Sequence, residues 1–278
     1  MNCAILGVGL IGASIGKALL ARGLADRVMG FGRDWENLNV ALKSRCVTHI
    51  TLSLEEAVRE AHVVFVCAPV GAIPSLVEQG AEWARTGAIF TDTGSSKLQI
   101  LRMLHATPLA RGCTFVGAHP IAGKEISGAG SADENLFCEK LVVVTPTEET
   151  PEEAISLVLE IWEGMGARVC RMSAEEHDHV LAKTSHLPHL ISCALSAMIS
   201  PEEHGLAGTG FESMTRLAKG SPEVWKDIVR DNKDEILSAL AGYQQYLQTL
   251  HDVIRRDDAT ALEAFLQTAK KNRNALGN

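Results

Sequence analysis

The stretch CAILGVGLIGASIG, Cys3 to Gly16, restricts the architecture more than any other part of the chain. A short apolar run ends at Gly7, and Gly7, Gly9 and Gly12 then fall in G-x-G-x-x-G spacing at the head of an apolar helical segment. Strand, glycine turn and helix in that order make the first unit of a dinucleotide-binding βαβ fold. Gly7 permits the tight turn, Gly9 lets backbone approach a pyrophosphate, and Gly12 lets the helix pack closely on the strand. The first N–H groups of the helix, including those of Leu10 and Ile11, then face the phosphates.

The rest of the first part continues the alternation. Apolar runs at Val28–Phe31, Val63–Pro69, Ala88–Asp92, Phe115–His119, Leu141–Thr145 and Ala167–Cys170 are separated mostly by segments of helical period. Strands that are apolar without interruption suit a sheet buried on both faces. From about Ser173 strand signals cease. The remainder reads as helices: Ala174 to Ile199 with Pro188 inside, a Gly-rich link, then Glu212 to Lys219, Glu223 to Arg255 and Asp258 to Lys271. The expected fold is therefore α/β: a Rossmann-type, doubly wound, mostly parallel sheet over residues 1–172, followed by an all-α domain over residues 173–278. The apolar positions Ile228, Ile236, Leu237, Leu240, Tyr243, Leu247, Leu250 and Ile254 form a stripe longer than a small domain buries by itself. A second copy of the chain is the expected cover, and packing within one chain is the alternative.

A formal charge of −8 argues against a nucleic-acid or anionic-membrane partner, which would be repelled at long range. The seven cysteines include no C-x-x-C pair and read as reduced core side chains. The opening MNCAILGVG carries no leader pattern and no apolar run is long enough to span a bilayer, so a cytoplasmic protein is expected.

Cofactor choice turns on the end of the second strand, where GFGRDWEN places Gly32 at the usual acidic position and Arg33 beside it. A small residue followed by a guanidinium leaves room for a 2′-phosphate and a partner for it, favouring NADP. Asp34 would restore NAD if it reached the ribose, but its position suits the N-cap of a helix starting at Trp35. Ligands of such sheets sit beyond the carboxyl ends of the strands. Gathered there are Ala68 and Pro69 of the CAP turn, the DTGSSK loop with Ser95, and His119. An imidazole at that place is suited to take a proton from a hydroxyl while hydride leaves the same carbon. Ser95 could cap the next helix, touch a ligand, or both, and Lys97 and Lys124 read as solvent charges that add local positive potential. The histidines around Pro188 could suggest zinc, but no clear ligand set is completed and no metal is expected.

With these residues in view a resemblance becomes specific. GVGLIGASIG, DTGSSK, GAHPIAGKEISG, HDHVLAKTSHLPH and GFESMTRLAKGSPEVW, in this order and spacing, resemble the prephenate/arogenate dehydrogenase family of tyrosine biosynthesis over nearly the whole chain. The resemblance implies a Rossmann domain joined to a helical dimerisation domain, and oxidative decarboxylation of prephenate or arogenate with reduction of NAD(P)+. It implies that His119 is the catalytic histidine bonding the ring hydroxyl and that Ser95 helps orient it. His189, His186 and Arg216 correspond to substrate-binding groups, Arg216 holding a carboxylate of the dicarboxylate substrate, and Glu125 to an acid near the entrance.

One departure stands out. Where many relatives carry an aspartate three residues before the arginine, this chain has Ser213, leaving Glu125 or Glu212 to pair with Arg216. Tyrosine inhibition, if present, is expected at the active site itself, since no amino-acid-sensing domain is seen after residue 278. Two rival readings remain: a β-hydroxyacid dehydrogenase, for which Lys183 is the candidate catalytic lysine, and an NADP(H)-binding sensor without turnover.

Overall fold

The computed structural model describes residues 1–105, 108–123 and 128–277. Its strands are β1 (Asn2–Leu6), β2 (Arg27–Phe31), β3 (His49–Thr51), β4 (Val63–Val66), β5 (Ile89–Asp92), β6 (Thr114–Pro120), β7 (Leu141–Thr145) and β8 (Arg168–Arg171). They form one sheet in the order β3-β2-β1-β4-β5-β6-β7-β8. Pairing is parallel from β3 across to β6, antiparallel between β6 and β7, and parallel again between β7 and β8. The strand order reverses between β1 and β4, and a crevice opens there at the carboxyl ends. The edge strand β3 was not among the expected ones, because HIT is too short to carry a periodic signal.

The helices of this part are α1 (Leu10–Ala21), α2 (Trp35–Lys43), α3 (Leu54–Val58), α4 (Ile73–Trp83), α5 (Leu98–Leu104) and α6 (Glu152–Gly164). Along β1 and β4 alternate residues enter two different cores, which explains runs such as VVFV. Cys3, Ile5, Val63 and Phe65 pack with residues of α1, α2 and α6 on one face. Ala4, Leu6, Val64 and Val66 pack with residues of α3, α4 and α5 on the other. Each fully buried valine, leucine, isoleucine or phenylalanine among them contributes about 1.5–3 kcal/mol of transfer free energy. On the first face Trp162 meets Phe65 and Phe137 edge to face, at centroid distances of 6.1 and 5.2 Å.

Helices α7 (Ala174–Leu181), α8 (Leu187–Met198), α9 (Thr209–Thr215) and α10 (Pro222–Asp231) belong with the sheet to one compact unit, residues 1–232. The distortion that Pro188 predicts occurs as a turn of π-helix, Ala182–His186, with Pro188 in the first turn of α8. The helix expected from Glu223 to Arg255 is broken at Asn232, which leaves helical geometry at φ −107°, ψ 33°. Its buried amide hydrogen-bonds to the Asp178 carbonyl and to His186, partners that an uninterrupted helical pattern did not reveal. The second unit, from Lys233, comprises α11 (Lys233–Arg255) and α12 (Ala259–Ala275), which pack on each other. Leu237, Leu247, Ile254 and Leu266 in this unit stay exposed. Among the described residues no helix is long and apolar enough to cross a membrane.

A buried ion pair holds the carboxyl end of the sheet together. Asp92, last residue of β5, accepts from the N–H groups of Gly94 (2.8 Å) and Ala118 (2.9 Å) and pairs with the ammonium of Lys97. That ammonium also donates to the Ala118 carbonyl at 3.1 Å. Lys97 is 1% exposed, so its reading as a solvent charge is overturned: the loop after β5 turns its side chain back beneath β6. Burial pulls the lysine below its ordinary range, and the neighbouring Asp92 opposes that pull. Removing one member of such a pair strands the other, at a cost of about 3–5 kcal/mol. Lys97→Met should lower unfolding stability by that order in urea titrations at fixed protein concentration, and Asp92→Asn/Lys97→Met should recover part of the loss. An unchanged midpoint in the single variant would remove the pair from the account of stability.

Candidate active site

The glycine turn is built as its spacing predicts. Gly7 has φ +102°, and a Cβ there would lie 2.3 Å from the Cys67 carbonyl oxygen, so only glycine joins β1 to α1 this close to β4. A Cβ on Gly12 would lie 2.2 Å from the Gly7 carbonyl oxygen. Gly9 is different: it caps α1 without a side chain, and a Cβ there would meet nothing within 4 Å. The turn thus leaves open space in front of the uncapped first N–H groups of α1, at Leu10 and Ile11, which fits an anionic pyrophosphate. Ala68 and Pro69 follow β4 on the same edge of the sheet. Asn37, which sequence reading did not single out, braces the cradle: its Nδ2 donates to the Val8 carbonyl at 2.6 Å, and its Oδ1 accepts from the Ala129 N–H at 3.1 Å.

At the end of β2, Gly32 faces Leu38 at ordinary contact distance and Arg33 is exposed. Asp34 caps α2, accepting from the N–H groups of Glu36 at 2.9 Å and Asn37 at 3.2 Å.

His119 ends up at the carboxyl end of β6 and is 8% exposed. Its Nδ1 lies 2.8 Å from Nε2 of His177, whose Nδ1 lies 2.7 Å from Oδ1 of Asp178. Burial, followed by the nearby His177, Lys97 and His186, holds His119 well below the usual histidine range. The imidazole is therefore neutral at physiological pH. Sequence reading placed His119 correctly at a strand end but missed what orients it. The signal was the HD pair inside HDHVLAKTSH, a histidine followed by an acid at the start of a helix.

Asp178 performs a second task. Its Oδ1 accepts from the Lys97 N–H at 2.8 Å and its Oδ2 from the Leu98 N–H at 3.0 Å, so a carboxylate from α7 caps α5. The helix cap considered for Ser95 is thereby filled from another element. Ser95 lies half-buried in the loop, and among the described residues no hydrogen bond joins its hydroxyl to His119.

His186, on the π-turn, is fully buried, and burial pushes it down to about 4, with Asp178 opposing. Its Nδ1 lies 3.1 Å from the Asn232 amide nitrogen. Its Nε2 has no hydrogen bond of normal geometry among the described residues, while the Ser95 backbone acts on the ring as a hydrogen-bond partner. His189 stacks flat on Trp225 at 3.5 Å with 7° between the rings, and its Nε2 lies 3.4 Å from the Cys193 sulfur. The backbone at Gly220 passes close to this stack: a Cβ there would lie 2.7 Å from Trp225 Nε1 and 2.8 Å from His189 Cε1. Arg216 opens the 3₁₀ turn Arg216–Lys219, which packs on α8; the Ala218 N–H donates to the Ser192 hydroxyl at 3.1 Å. The histidines of this region are thus spent on separate neighbours: His177 on His119, His186 on Asn232, His189 on Trp225. Glu125 and Lys124 lie outside the described residues. Lys183 is exposed, beside His179 at 3.0 Å, rather than directed into the histidine cluster.

A glycine cradle at the strand-order reversal, and a buried histidine relay at the carboxyl end of β6 on the same edge of the sheet, define a nicotinamide-dinucleotide oxidoreductase. Comparison with known proteins makes this specific. The profile of the prephenate dehydrogenase nucleotide-binding domain matches residues 15–171, and that of the prephenate dehydrogenase dimerization domain matches residues 173–268. The chain is 33% identical to cyclohexadienyl dehydrogenase of Zymomonas mobilis, covering 99% of this chain and 96% of that one. It is 31% identical to prephenate dehydrogenase of Bacillus subtilis, covering 98% and 75%. Among solved structures it is similar to prephenate dehydrogenase from Aquifex aeolicus in complex with hydroxyphenyl propionate and NAD+, with a TM-score of 0.92, 32% identity and coverage of 99% and 98%. Synechocystis arogenate dehydrogenase follows with a TM-score of 0.82, 28% identity and coverage of 99% and 100%. The chain belongs to the prephenate dehydrogenase family.

The glycine geometry yields a test of the cradle. Gly9→Ala should fold with stability within about 1 kcal/mol of the parent, the scale of an N-cap change, yet lose at least tenfold in dinucleotide affinity by titration calorimetry. Gly12→Ala should lose both binding and stability, because its methyl meets backbone. Equal dinucleotide affinity in Gly9→Ala and the parent would remove the pyrophosphate from this turn.

Proposed function

We propose that the protein oxidatively decarboxylates prephenate, and arogenate to a degree that substrate assays decide, in tyrosine biosynthesis. The observation that carries this reading is His119: a buried, neutral imidazole at the carboxyl end of β6, its Nδ1 engaged by His177, which makes Nε2 the nitrogen to meet substrate. An oxidised nicotinamide held in the cradle would accept the hydride from the ring carbon bearing the hydroxyl. His119 takes the hydroxyl proton on Nε2 as the carbonyl forms. The resulting dienone is an electron sink, so the carboxylate on the opposite ring carbon, in conjugation with the new carbonyl, leaves as CO2 and its bonding electrons enter the ring. His119 then returns the proton to the phenolic oxygen, and 4-hydroxyphenylpyruvate is released, or tyrosine when the substrate is arogenate. Aromatisation drives the step, so the protein's work is mainly to position the substrate and exclude water.

Arg216 supplies the planar fork for a substrate carboxylate in an otherwise acidic protein, and its turn lies against the helix that carries His189. His189, stacked on Trp225, is assigned to the substrate from α8, His186 from the π-turn, and Ser95 from the loop after β5. Glu125 is assigned to the entrance. Residues 173–278 form the substrate and dimerisation domain after a nucleotide-binding domain over 1–172. The dimerization-domain profile and the exposed apolar residues of α11 and α12 support a homodimer. For the cofactor we favour NADP: Arg33 is exposed beside Gly32, and Asp34 is already committed to capping α2, which leaves no acid for a ribose.

Steady-state rates with prephenate and arogenate, each with NADP+ and NAD+, test the assignment. Turnover with neither substrate, alongside intact dinucleotide binding, would favour the sensor reading. NADP+ should be preferred, and Arg33→Ala should erase that preference. His119→Asn should keep dinucleotide affinity and lose about 10²- to 10⁴-fold in kcat, the usual contribution of a positioned base. Because the active form of His119 is the neutral one and its ionisation is depressed, kcat/KM should rise with pH along a limb lying well below pH 6.5 and be flat above it. A limb centred at or above pH 6.5 would mean that another group titrates. Arg216→Ala should raise KM at least tenfold with a smaller change in kcat, as expected for lost ground-state binding; an unaltered KM would exclude its carboxylate role.

A further inference from the structure

We propose that Asp178 sets opposite tautomers on two histidines of the site, leaving a lone pair on Nε2 of His119 and a proton on Nε2 of His186. The inference deepens the reading of His119 as the base and rests on it for its consequence in turnover, though not for the tautomers themselves.

Donors and acceptors alternate outward from Asp178. Its carboxylate oxygens already accept from two backbone N–H groups, those of Lys97 and Leu98, and Oδ1 also faces His177 Nδ1 at 2.7 Å. An oxygen in that arrangement accepts, so His177 must place its proton on Nδ1. With its single ring proton on Nδ1, His177 has its lone pair on Nε2. The atom 2.8 Å from that lone pair, Nδ1 of His119, must be the donor. His119, neutral because it is buried, is left unprotonated on Nε2, the form that a base requires.

The second limb leaves from the main chain of the same residue. The Asn232 amide nitrogen donates to the Asp178 carbonyl at 2.8 Å, which fixes which end of that amide is nitrogen. The same nitrogen lies 3.1 Å from His186 Nδ1, so Nδ1 of His186 accepts. His186 must then carry its proton on Nε2, the buried atom without a hydrogen bond of normal geometry among the described residues. The Ser95 backbone acts on His186 as a hydrogen-bond partner and opposes the downward pull of burial, as an acceptor facing an N–H does. Asp178 thus prepares a proton acceptor on His119 and a hydrogen-bond donor on His186. His177, Asp178 and Asn232 are positioning residues: they act through His119 and His186.

The other charged and titratable groups around the relay do not reverse this assignment. Lys97 is held by Asp92 and the Ala118 carbonyl, with its ammonium committed away from His177. Asp231, at the end of α10, faces Ser96 at 3.5 Å.

Histidine side-chain ¹⁵N spectra of the full-length protein, assigned with His119→Asn, His177→Gln and His186→Gln, read the tautomers directly. The expected result is His119 protonated at Nδ1 and His186 at Nε2. Asp178→Asn should mix or invert the His119 tautomer and lower kcat by about 10²- to 10⁴-fold, as loss of the orienting acid does in Ser-His-Asp triads, with dinucleotide affinity changed less than threefold. His177→Gln, whose amide oxygen can still accept from His119 Nδ1, should keep kcat within about tenfold of the parent; His177→Phe, equal in bulk but unable to accept, should fall with Asp178→Asn. The Gln/Phe pair also decides the matter if Asp178→Asn fails to fold through loss of the α5 cap. A parent protein with His119 protonated on Nε2, or equal turnover in His177→Gln and His177→Phe, overturns the proposal. Full activity in His119→Asn would instead overturn the base assignment and leave the tautomer result standing.

Discussion

One buried carboxylate ties the helical region to the sheet. Asp178 reaches from α7 to the N–H groups that open α5, to His177, and through its carbonyl to Asn232 at the end of α10. Each of these partners is a group whose burial would otherwise be costly. The arrangement is self-consistent only when all of them are in place, because a half-satisfied network in a low-dielectric interior is worse than an apolar one. The candidate site therefore inherits its geometry from polar satisfaction within residues 1–232, with His119 as the outermost member of the chain.

The adjoining Asp92–Lys97 pair plays the complementary part inside the sheet. It lies where β5 ends and β6 changes from a parallel to an antiparallel neighbour, and it binds the backbone of Ala118 from both sides, through Asp92 to the N–H and through Lys97 to the carbonyl. The residue after Ala118 is His119. A strand end, rather than a loop, thus presents His119, and a site built this way keeps its geometry without relying on substrate to order it.

Much of this was legible beforehand, and the reasons differ from residue to residue. Gly7 and Gly12 were readable because their constraint is local: a positive φ in one case and backbone contact in both leave no other side chain. Asp34 was readable as a cap because capping depends on neighbours two and three residues away. Lys97 was misjudged, since a lysine near a glycine-serine loop looks solvated until a strand carboxylate from the same sheet edge turns it inward. The break at Asn232 was missed because apolar spacing continues smoothly from Ile228 to Ile236, and periodicity carries no information about a side chain that prefers a distant carbonyl.

What the sequence by itself determined is whatever repeats or acts over a few residues: the β/α alternation, a sheet buried on both faces, the glycine cradle, the disturbance at Pro188, and a histidine at the end of a strand. Only the tertiary structure decided which groups, far apart in the chain, share a proton. His119 and His177 are 58 residues apart, and Asn232 lies 46 from His186. Hydrogen bonds of that kind follow from how helices dock on the sheet, a consequence of burying apolar surface everywhere else. No local pattern of charge or hydropathy encodes them.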